Sequence, residues 1–234
     1  MLDVSGLTCG YGDIVAVRDV SMSVQAGSIL ALLGANGAGK TSTLMTLVGL
    51  CELKAGTIRL HGEDISALPA ERRIRKGLSI VPEGRRIFPD LSVEENLMIG
   101  GHVMPTAAMR RNIDAALTHF PRLKDRRRQT AGSLSGGEQQ MLAMGRALIS
   151  EPRLLLVDEL SLGLMPAVVD ECYRVLRALR DDGLAIVLVD QNTEKALDAA
   201  DTVCILEAGN LTWTGTSAEA RRDDALAEAF LGQS

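Results

Sequence analysis

Three short stretches of the chain carry residue types that bind phosphate groups and metal ions. Residues 34–42 read GANGAGKTS, residues 134–140 read LSGGEQQ, and residues 154–159 read LLLVDE. The first stretch combines glycines with a lysine and a hydroxyl group. The second is a Ser-Gly-Gly turn before a predicted helix, and the third is an apolar run that ends in two carboxylates. In this order and within one domain-sized chain, they indicate a nucleotide-driven ATPase.

The first stretch predicts a phosphate-binding loop. It matches the pattern G-x-x-x-x-G-K-[ST] and follows the apolar run Ser28–Leu33. Glycines allow backbone amides to turn toward phosphate oxygens, and the following helix adds the positive end of its dipole. We expect Lys40 to reach the β- and γ-phosphates of ATP and Thr41 to supply a hydroxyl to Mg²⁺. The predicted nucleotide-binding residues of the loop are Gly34, Ala35, Asn36, Gly37, Ala38, Gly39, Lys40, Thr41 and Ser42.

The two carboxylates of the third stretch predict the hydrolytic step. Asp158 closes an apolar strand and is placed to hold Mg²⁺ directly or through water. Glu159 is the predicted general base, or water-polarising group, for attack on the γ-phosphate. An isolated hydrophobic-Asp-Glu run is more commonly the start of a helix. The phosphate-binding loop upstream favours the catalytic interpretation here.

The spacing of apolar residues predicts the elements that position these stretches. Residues 84–150 are predicted to be mainly helical, with a capping box at Ser92 and Glu95. Around them the pattern predicts an α/β core with a hairpin that turns at Ala208-Gly209. The predicted strands are Leu2–Leu7, Ile14–Val24, Ser28–Leu33, Thr57–Leu60, Leu78–Val81, Leu154–Val157, Ala185–Val189, Thr202–Leu206 and Asn210–Gly215, and the predicted helices are Lys40–Leu50, Thr106–Phe120, Gly137–Ser150, Ala167–Arg180 and Glu194–Ala200.

Composition excludes several classes of protein. The chain has 234 residues and a net charge of −5, so binding of nucleic acid through bulk charge is not expected. Basic clusters at Arg72-Arg73, Arg85-Arg86 and Arg126-Arg127-Arg128 fit either a solvated face or a docking surface. The four cysteines are far apart and are expected to be reduced thiols. The sequence predicts neither a membrane-spanning segment nor a signal peptide, so other chains would have to span the membrane.

The segment LSGGEQQ, together with the other two, resembles the ATP-binding subunits of ABC transporters over essentially the whole chain. The resemblance implies an α/β fold with a P-loop NTPase (RecA-like) core at about 1–83 and 151–234. It also implies an N-terminal antiparallel β subdomain and a helical subdomain at about 84–150. In that family, the segment Ser135-Gly136-Gly137 contacts nucleotide held on the phosphate loop of a second subunit. ATP then lies between two subunits, which are either identical or related.

Other functional residues follow from the same resemblance. Tyr11 matches the aromatic residue that stacks on adenine, and the segment 161–164 matches the part that couples the two composite sites. Glu83 occupies the place of a glutamine that senses Mg²⁺ and the membrane partner. Gln191 occupies the place of a histidine that touches the γ-phosphate. Leu160 replaces a proline, which predicts a looser backbone after Glu159.

The segments VPEGRRIFP and LVDQN resemble the shorter ATPase subunit of branched-chain amino acid importers. The end of the chain near Phe230-Leu231-Gly232, without an appended regulatory domain, agrees with that group. The resemblance implies a peripheral protein on the cytoplasmic face of the cell membrane. Its partners would be a second ATPase subunit, two transmembrane permease subunits and, indirectly, a periplasmic solute-binding protein. The transported solute would be a branched-chain amino acid or a related small polar solute. The alternatives are an ABC ATPase outside transport and an ATP-binding regulator with little turnover.

Overall fold

The structure is a computed structural model that describes residues 1–223. Residues 230–232, which the sequence analysis used to assign the subfamily, lie outside the described residues. Two β-sheets and a group of helices make up the described part. The boundaries of the helical subdomain at residues 84 and 150 stay a prediction.

The N-terminal sheet is antiparallel and has the strand order β2-β1-β4-β5. Gly6 and Gly56 face each other where the pairing of β1 with β4 shifts register, and a Cβ on Gly56 would lie 2.4 Å from the carbonyl oxygen of Gly6. The predicted antiparallel subdomain is therefore present. Its strands are β1 (Leu2–Tyr11), β2 (Ile14–Val24), β4 (Glu52–Leu60) and β5 (Glu63–Asp64).

The second sheet has the order β10-β9-β3-β8-β7-β6 and is parallel except for the edge strand β10. Every residue of its three central strands is buried, as expected for a parallel sheet covered on both faces. The carboxyl ends of these strands meet at one edge, where ligands bind in such folds. The strands are β3 (Ile29–Leu33), β6 (Leu78–Val81), β7 (Leu154–Asp158), β8 (Ala185–Val189), β9 (Thr202–Glu207) and β10 (Asn210–Thr216).

Helices cover both faces of this sheet, and a group of them is inserted between β6 and β7, as predicted. The insertion begins at Ser92, whose side chain and Glu95 form the predicted capping box. The short elements β5, α2, α5 and α9 were not predicted, because two to six residues are too few to show a period. The helices are α1 (Lys40–Val48), α2 (Ala70–Arg75), α3 (Val93–Gly100), α4 (Thr106–His119), α5 (Pro121–Lys124), α6 (Gly136–Leu148), α7 (Pro166–Asp181), α8 (Thr193–Ala199) and α9 (Ser217–Ala220).

Strand β3 shows how the core is divided between the two faces of the sheet. Ile29, Ala31 and Leu33 point toward the cluster formed with the inserted helices and α7. Leu30 and Leu32 point toward the cluster formed with α1 and the antiparallel sheet. The strand that leads into the phosphate-binding loop is thus fixed by apolar packing from both sides, which holds the loop at a defined position.

Arg73 corrects one expectation for the basic clusters, because it lies neither on a solvated face nor on a docking surface. The residue is 3% exposed, and its guanidinium donates hydrogen bonds to four carbonyl oxygens. Two of them, on Thr46 and Leu47, belong to the last turn of α1 and lie 2.6 and 2.9 Å away. A cation at a helix C-terminus satisfies free carbonyls and complements the dipole. Arg73 therefore stabilises the helix that follows the phosphate-binding loop.

Two further expectations concern the membrane and the thiols. None of the helices within residues 1–223 is long and apolar enough to cross a membrane. The four cysteines are all buried and free, in agreement with the prediction of reduced thiols.

Candidate active site

The loop between β3 and α1 has the geometry of an anion-binding site. Its Lys40 side chain is 6% exposed, and the ammonium donates hydrogen bonds to the carbonyl oxygens of Gly34 at 2.8 Å and Ala35 at 3.0 Å. The N-cap residue of α1 is Gly39, which offers no side chain to bond the first amides of the helix. Amides at a helix N-terminus and a nearby ammonium group favour a bound phosphate.

The three glycines of the loop are required for different physical reasons. Gly37 has φ 81°, and a Cβ built there would meet nothing within 4 Å, so this residue leaves the surface of the loop open. A Cβ on Gly34 would lie 2.2 Å from the carbonyl oxygen of Leu206, and one on Gly39 would lie 2.6 Å from a methyl group of Val17. All three are predicted to give phosphate access. Gly34 and Gly39 are also required by close packing against β9 and β2.

Ala38 contributes to the loop through its backbone. Its side chain is 4% exposed and belongs to the core, its N–H donates to the carbonyl oxygen of Ala35 at 3.1 Å, and its own carbonyl accepts from Gly209 at 3.1 Å. These bonds tie the loop to the turn between β9 and β10. Ala38 was predicted to bind nucleotide, and its methyl group does not face the loop's open side.

Asp158, the last residue of β7, lies beside the first turn of α1. Its Oδ1 accepts a hydrogen bond from the Thr41 hydroxyl at 3.2 Å. The residue is 1% exposed, and its Oδ2 has no hydrogen-bond partner. Burial raises the pKa of Asp158 to about 6, the Glu83 carboxylate adds to this rise, and Thr41 and Lys40 oppose it. A buried carboxylate oxygen without a partner, next to a hydroxyl group, fits a hard divalent cation.

This donor set also indicates how Mg²⁺ would be held. Within residues 1–223, no group of three or more His, Cys, Asp or Glu side chains forms a metal site by itself. Mg²⁺ is commonly bound by one or two protein oxygens together with substrate phosphates and water. The pair of Thr41 and Asp158 fits that form of binding.

Glu159 is held in a strained backbone conformation at the edge of the sheet. Its φ is 54°, in the left-handed region, and its N–H donates to the carbonyl oxygen of Val189 at 2.9 Å. Its Oε2 is buried without a hydrogen-bond partner. Burial raises the pKa of Glu159, Lys40 opposes the rise, and the carboxylates of Asp190, Asp158 and Glu83 add to it. Strained residues with unpaired polar atoms are concentrated at active sites, which supports the predicted role of Glu159.

A cavity of about 630 Å³ brings most of the predicted residues together. Glu83, Glu159 and Gln191 line it together with residues of the phosphate-binding loop, although they come from three separate segments of the chain. Sequence reasoning missed the contribution of β2, because a strand on the rim of a cavity has no distinctive pattern. The lining consists of Ile14, Val15, Ala16, Arg18, Asn36, Gly37, Gly39, Lys40, Thr41, Ser42, Glu83, Glu159, Gln191 and Ala208.

Tyr11 lies outside this lining, at the end of β1. It is 52% exposed, so the face of its ring is accessible to a ligand. Burial raises its pKa, the Cys51 thiol adds to the rise, and a hydrogen bond with Ser42 opposes it. The tyrosine therefore lies near Ser42, at the end of the phosphate-binding loop, and its exposed aromatic ring is of the kind that stacks on a base.

The segment Ser135-Gly136-Gly137 lies apart from the cavity and begins helix α6. The Ser135 hydroxyl donates to Oε2 of Glu138 at 2.7 Å, the Ser135 N–H donates to the same oxygen at 2.9 Å, and the Glu138 N–H donates to the hydroxyl at 3.4 Å. A Cβ on Gly137 would lie 2.8 Å from a methyl group of Val168. These three residues are not among those that line the cavity, so their contact with nucleotide on a second subunit stays a prediction.

Arg85 links the Glu83 segment to helix α6. A Cβ on Gly136 would lie 3.0 Å from the Arg85 guanidinium, which also donates to Oε1 of Gln139 at 3.3 Å. Arg146 of α6 donates to the carbonyl oxygen of Arg85 at 3.3 Å. The backbone at Gly84, Arg85 and Arg86 has positive φ throughout, so this turn is held in a strained form by its contacts.

Leu160 does not leave a loose backbone after Glu159. Its side chain is fully buried, and the next residue, Ser161, is bonded through its N–H and hydroxyl to the Asp190 carboxylate. Apolar packing and these hydrogen bonds replace the restraint that proline would supply. Asp190 itself was not predicted as a site residue, although its position directly after a buried parallel strand was a usable signal.

Comparison with known protein families decides the assignment. Residues 17–161 match the family model described as ABC transporter. The chain belongs to the ABC transporter family. It is an ABC ATPase.

Relatives of this ABC ATPase cover its whole length. It is 45% identical to the high-affinity branched-chain amino acid transport ATP-binding protein BraG of Pseudomonas aeruginosa, over 99% of this chain and 100% of the relative. It is 35% identical to a probable branched-chain amino acid transport ATP-binding protein, LivF, of Archaeoglobus fulgidus, over 99% of each. The lipopolysaccharide export ATP-binding protein LptB of Escherichia coli is also 35% identical, over 99% of this chain and 97% of LptB.

Solved structures agree with the fold. An ATP-binding subunit of an ABC transporter superposes with a TM-score of 0.85 at 29% identity and covers 100% of this chain and 97% of its own. An ATP-binding cassette in its ADP conformation superposes with a TM-score of 0.88 at 20% identity, over 100% and 99% of the two chains. The predicted α/β P-loop core, antiparallel subdomain and helical insertion are confirmed.

Proposed function

We propose that this ABC ATPase powers the import of branched-chain amino acids through separate membrane subunits. The observation that carries the proposal is the full-length similarity to BraG, whose name states branched-chain amino acid transport. LivF, a second relative over the full length, bears the same description. The segments VPEGRRIFP and LVDQN, singled out from the sequence, support the same group.

In this proposal, one face of the nucleotide is bound by the phosphate-binding loop. Tyr11 stacks on the adenine. The loop amides and the Lys40 ammonium contact the β- and γ-phosphates, and Ser42 is the last residue of the loop that binds nucleotide. Thr41 and Asp158 hold Mg²⁺, with Glu83 nearby at the rim of the cavity. When bound, Mg²⁺ neutralises charge on the phosphoryl group that is transferred.

Glu159 acts on the water that attacks the γ-phosphate. Its raised pKa makes the carboxylate a better proton acceptor than an exposed glutamate, and its unpaired Oε2 is free to accept a hydrogen bond from water. Gln191 donates an amide hydrogen bond to a γ-phosphate oxygen, without the charge that a protonated histidine would bring. Hydrolysis therefore depends mainly on Glu159, with Gln191 in a supporting role.

The second face of the nucleotide is bound by Ser135, Gly136 and Gly137 of another ATPase subunit, a second copy or a related chain. Closure of the two subunits on ATP moves the membrane subunits, and hydrolysis reopens the pair. The chain would then lie on the cytoplasmic face of the membrane and act with two permease subunits and a solute-binding protein. No nucleic acid takes part.

The membrane subunits would dock on the segment 83–100. Phe88 and Met98 are 45% and 41% exposed there, and Arg86 is exposed beside them. Arg85 is hydrogen-bonded to Gln139 and Arg146 of α6 and is less suited to docking than the sequence indicated.

Arg86→Glu should abolish transport and leave basal ATP hydrolysis unchanged, whereas Arg72→Glu, a matched reversal at another exposed arginine, should affect neither. Normal transport by Arg86→Glu would exclude docking through this residue.

Uptake measurements test the proposed substrate. In cells that lack this chain, uptake of labelled leucine, isoleucine and valine should fall, and the wild-type chain should restore it. Lys40→Ala should not restore uptake, because the phosphates lose their cation. Unchanged uptake of all three amino acids in the deficient cells would contradict the proposed substrate class, and phosphate-release assays would still report the ATPase.

A role in lipopolysaccharide export is the second candidate, because LptB is 35% identical, the same value as for LivF. Cells deficient in this chain would then accumulate lipopolysaccharide at the inner membrane and keep normal amino acid uptake. The higher identity to BraG favours import.

A further inference from the structure

Asp190 is a buried carboxylate between two segments of the active site. It is the first residue after β8 and is 2% exposed. Gln191 follows it directly, and Glu159 lies on the neighbouring strand end, where its N–H bonds to the carbonyl oxygen of Val189. The charge of Asp190 is close enough to Glu159 to contribute to its raised pKa. Asp190 thus lies at the point where these two segments meet.

Four donors satisfy the Asp190 carboxylate, two on each oxygen. Oδ2 accepts from the Ser161 N–H at 3.2 Å and from the Tyr173 hydroxyl at 2.9 Å. Oδ1 accepts from the Asn192 N–H at 3.1 Å and from the Ser161 hydroxyl. Among residues 1–223, no ion pair joins Asp190 to a cation. Its charge is therefore stabilised by neutral donors alone, and each of them is constrained to point at it.

The donors belong to three different parts of the chain. Ser161 begins the segment that follows Glu159 and Leu160. Asn192 follows Gln191 and caps α8, since its side chain accepts from the Lys195 N–H at 3.0 Å. Tyr173 lies in the middle of α7, is 1% exposed, and is the largest fully buried side chain among the described residues. Its pKa is raised by burial and by Asp190, so the hydroxyl keeps its proton and stays a donor.

We propose that Asp190 is a positioning residue for ATP hydrolysis, which joins the backbone after Glu159 to the backbone around Gln191 and anchors both to α7 through Tyr173. The proposal rests on the proposed roles of Glu159 and Gln191. It adds that their relative position is set by one carboxylate that touches neither substrate nor metal. It also explains why leucine can replace proline at position 160, because hydrogen bonds to Asp190 fix the next residue, Ser161.

A role confined to stability is the competing explanation, since loss of any buried hydrogen-bond partner destabilises a protein by about 1–3 kcal/mol. Asn112 provides the matched control. It is 8% exposed, and its amide donates to the carbonyl oxygen of Ile149 at 2.8 Å, within the inserted helices. Asn112→Ala should lower the melting temperature and leave kcat unchanged.

The test is steady-state hydrolysis by the full chain, with kcat and KM measured separately. Asp190→Asn should lower kcat about 10- to 100-fold, because small displacements of reacting groups have effects of that size, and should change KM for ATP less than about twofold. Tyr173→Phe and Ser161→Ala preserve most of the packing and should each lower kcat about 3- to 10-fold. In the Asp190→Ala background, Ser161→Ala should add no further loss, because the two act as one unit.

Three results would overturn the proposal. The first is a kcat for Asp190→Asn that is no lower than the kcat of Asn112→Ala. The second is an effect of Asp190→Asn on KM alone, and the third is additive losses of kcat from Asp190→Ala and Ser161→Ala. Glu159→Gln measured in parallel separates this failure from failure of the proposed function. If Glu159→Gln loses hydrolysis while Asp190→Asn and Tyr173→Phe keep the wild-type kcat, only the positioning role is wrong. If Glu159→Gln keeps the wild-type rate, the assigned role of Glu159 is wrong.

Discussion

Two helix N-termini of this ABC ATPase are proposed to contact the same nucleotide, and they are prepared for it differently. Helix α1 begins at a glycine without a side-chain cap, so its first amides are available to an anion. Helix α6 begins with a capping box in which Ser135 and Glu138 satisfy each other. The first amides of α1 are thus available to phosphate, whereas the hydroxyl and amide of Ser135 at the start of α6 already have partners within the chain.

This difference has an energetic consequence for the shared site. The Ser135 hydroxyl donates its hydrogen to Glu138, and a hydroxyl has only one hydrogen to donate. Contact with a γ-phosphate oxygen therefore exchanges one charge-assisted hydrogen bond for another. In the proposed closed pair, the gain from closure would then come mainly from contacts of the phosphates with the backbone amides of Gly136 and Gly137. Such a balance suits a contact that must open again after hydrolysis.

The largest expected effect tests the α1 side. Lys40→Ala should abolish detectable hydrolysis by removing the cation at the phosphates. Glu159→Gln should lower kcat about 10²- to 10⁴-fold and leave ATP binding intact, because it removes only the group that takes up the proton. Phosphate release and equilibrium binding of labelled ATP measure the two quantities. Equal loss of binding in both variants would contradict the division of roles.

The next effect tests the α6 side against a matched control. Ser92→Ala and Ser135→Ala each remove the N-cap of a capping box, so each should lower the free energy of unfolding by about 1 kcal/mol. Only Ser135→Ala should also lower hydrolysis, by roughly tenfold or more, because a lost transition-state donor has that effect. Denaturant unfolding and phosphate release check both. If the two variants hydrolyse ATP equally well, Ser135 is merely a cap.

A third prediction concerns packing under the start of α6. Gly137→Ala should lower the free energy of unfolding by about 1–3 kcal/mol, because the new methyl group would lie 2.8 Å from Val168. Gly136→Ala should have a smaller effect, since its neighbour is the movable end of Arg85. Val168→Ala should restore part of the stability lost in Gly137→Ala. No recovery in this double variant, measured by thermal unfolding, would exclude the contact with Val168 as the cause.

The smallest effect is a dependence on pH. Burial alone would raise the pKa of Glu138, but hydrogen bonds from Ser135 and the charge of Arg126 lower it below the ordinary value of 4.5. A lowered pKa in the folded state stabilises the protein above that ordinary value, and the contribution is lost as the pH falls through the folded pKa. The difference in stability between wild type and Glu138→Gln should therefore be constant near neutral pH and shrink below about pH 4.5. A difference that grows toward low pH would contradict this assignment.

The comparison of the two N-termini also shows what the sequence could predict. The phosphate-binding loop and the capping boxes are local, because their residues are neighbours in the chain and spacing alone identifies them. Strand β7 was predicted from an unbroken apolar run that ended at Asp158. Arg73, Arg85 and Asp190 were missed or misjudged, because each acquires its role only from partners far away in sequence. The packing role of Gly34 against Leu206 was hidden for the same reason.

The central claim is that one ATP is held between Lys40 of one ATPase subunit and Ser135, or its counterpart, of another. The most direct measurement is an experimental structure of the Glu159→Gln variant with Mg²⁺ and ATP in its assembled transporter. The account predicts the Lys40 ammonium and the hydroxyl of the opposing subunit's serine within hydrogen-bond distance of the same triphosphate. A closed, ATP-loaded complex in which Ser135 remains bonded to Glu138 and remote from any phosphate would contradict it.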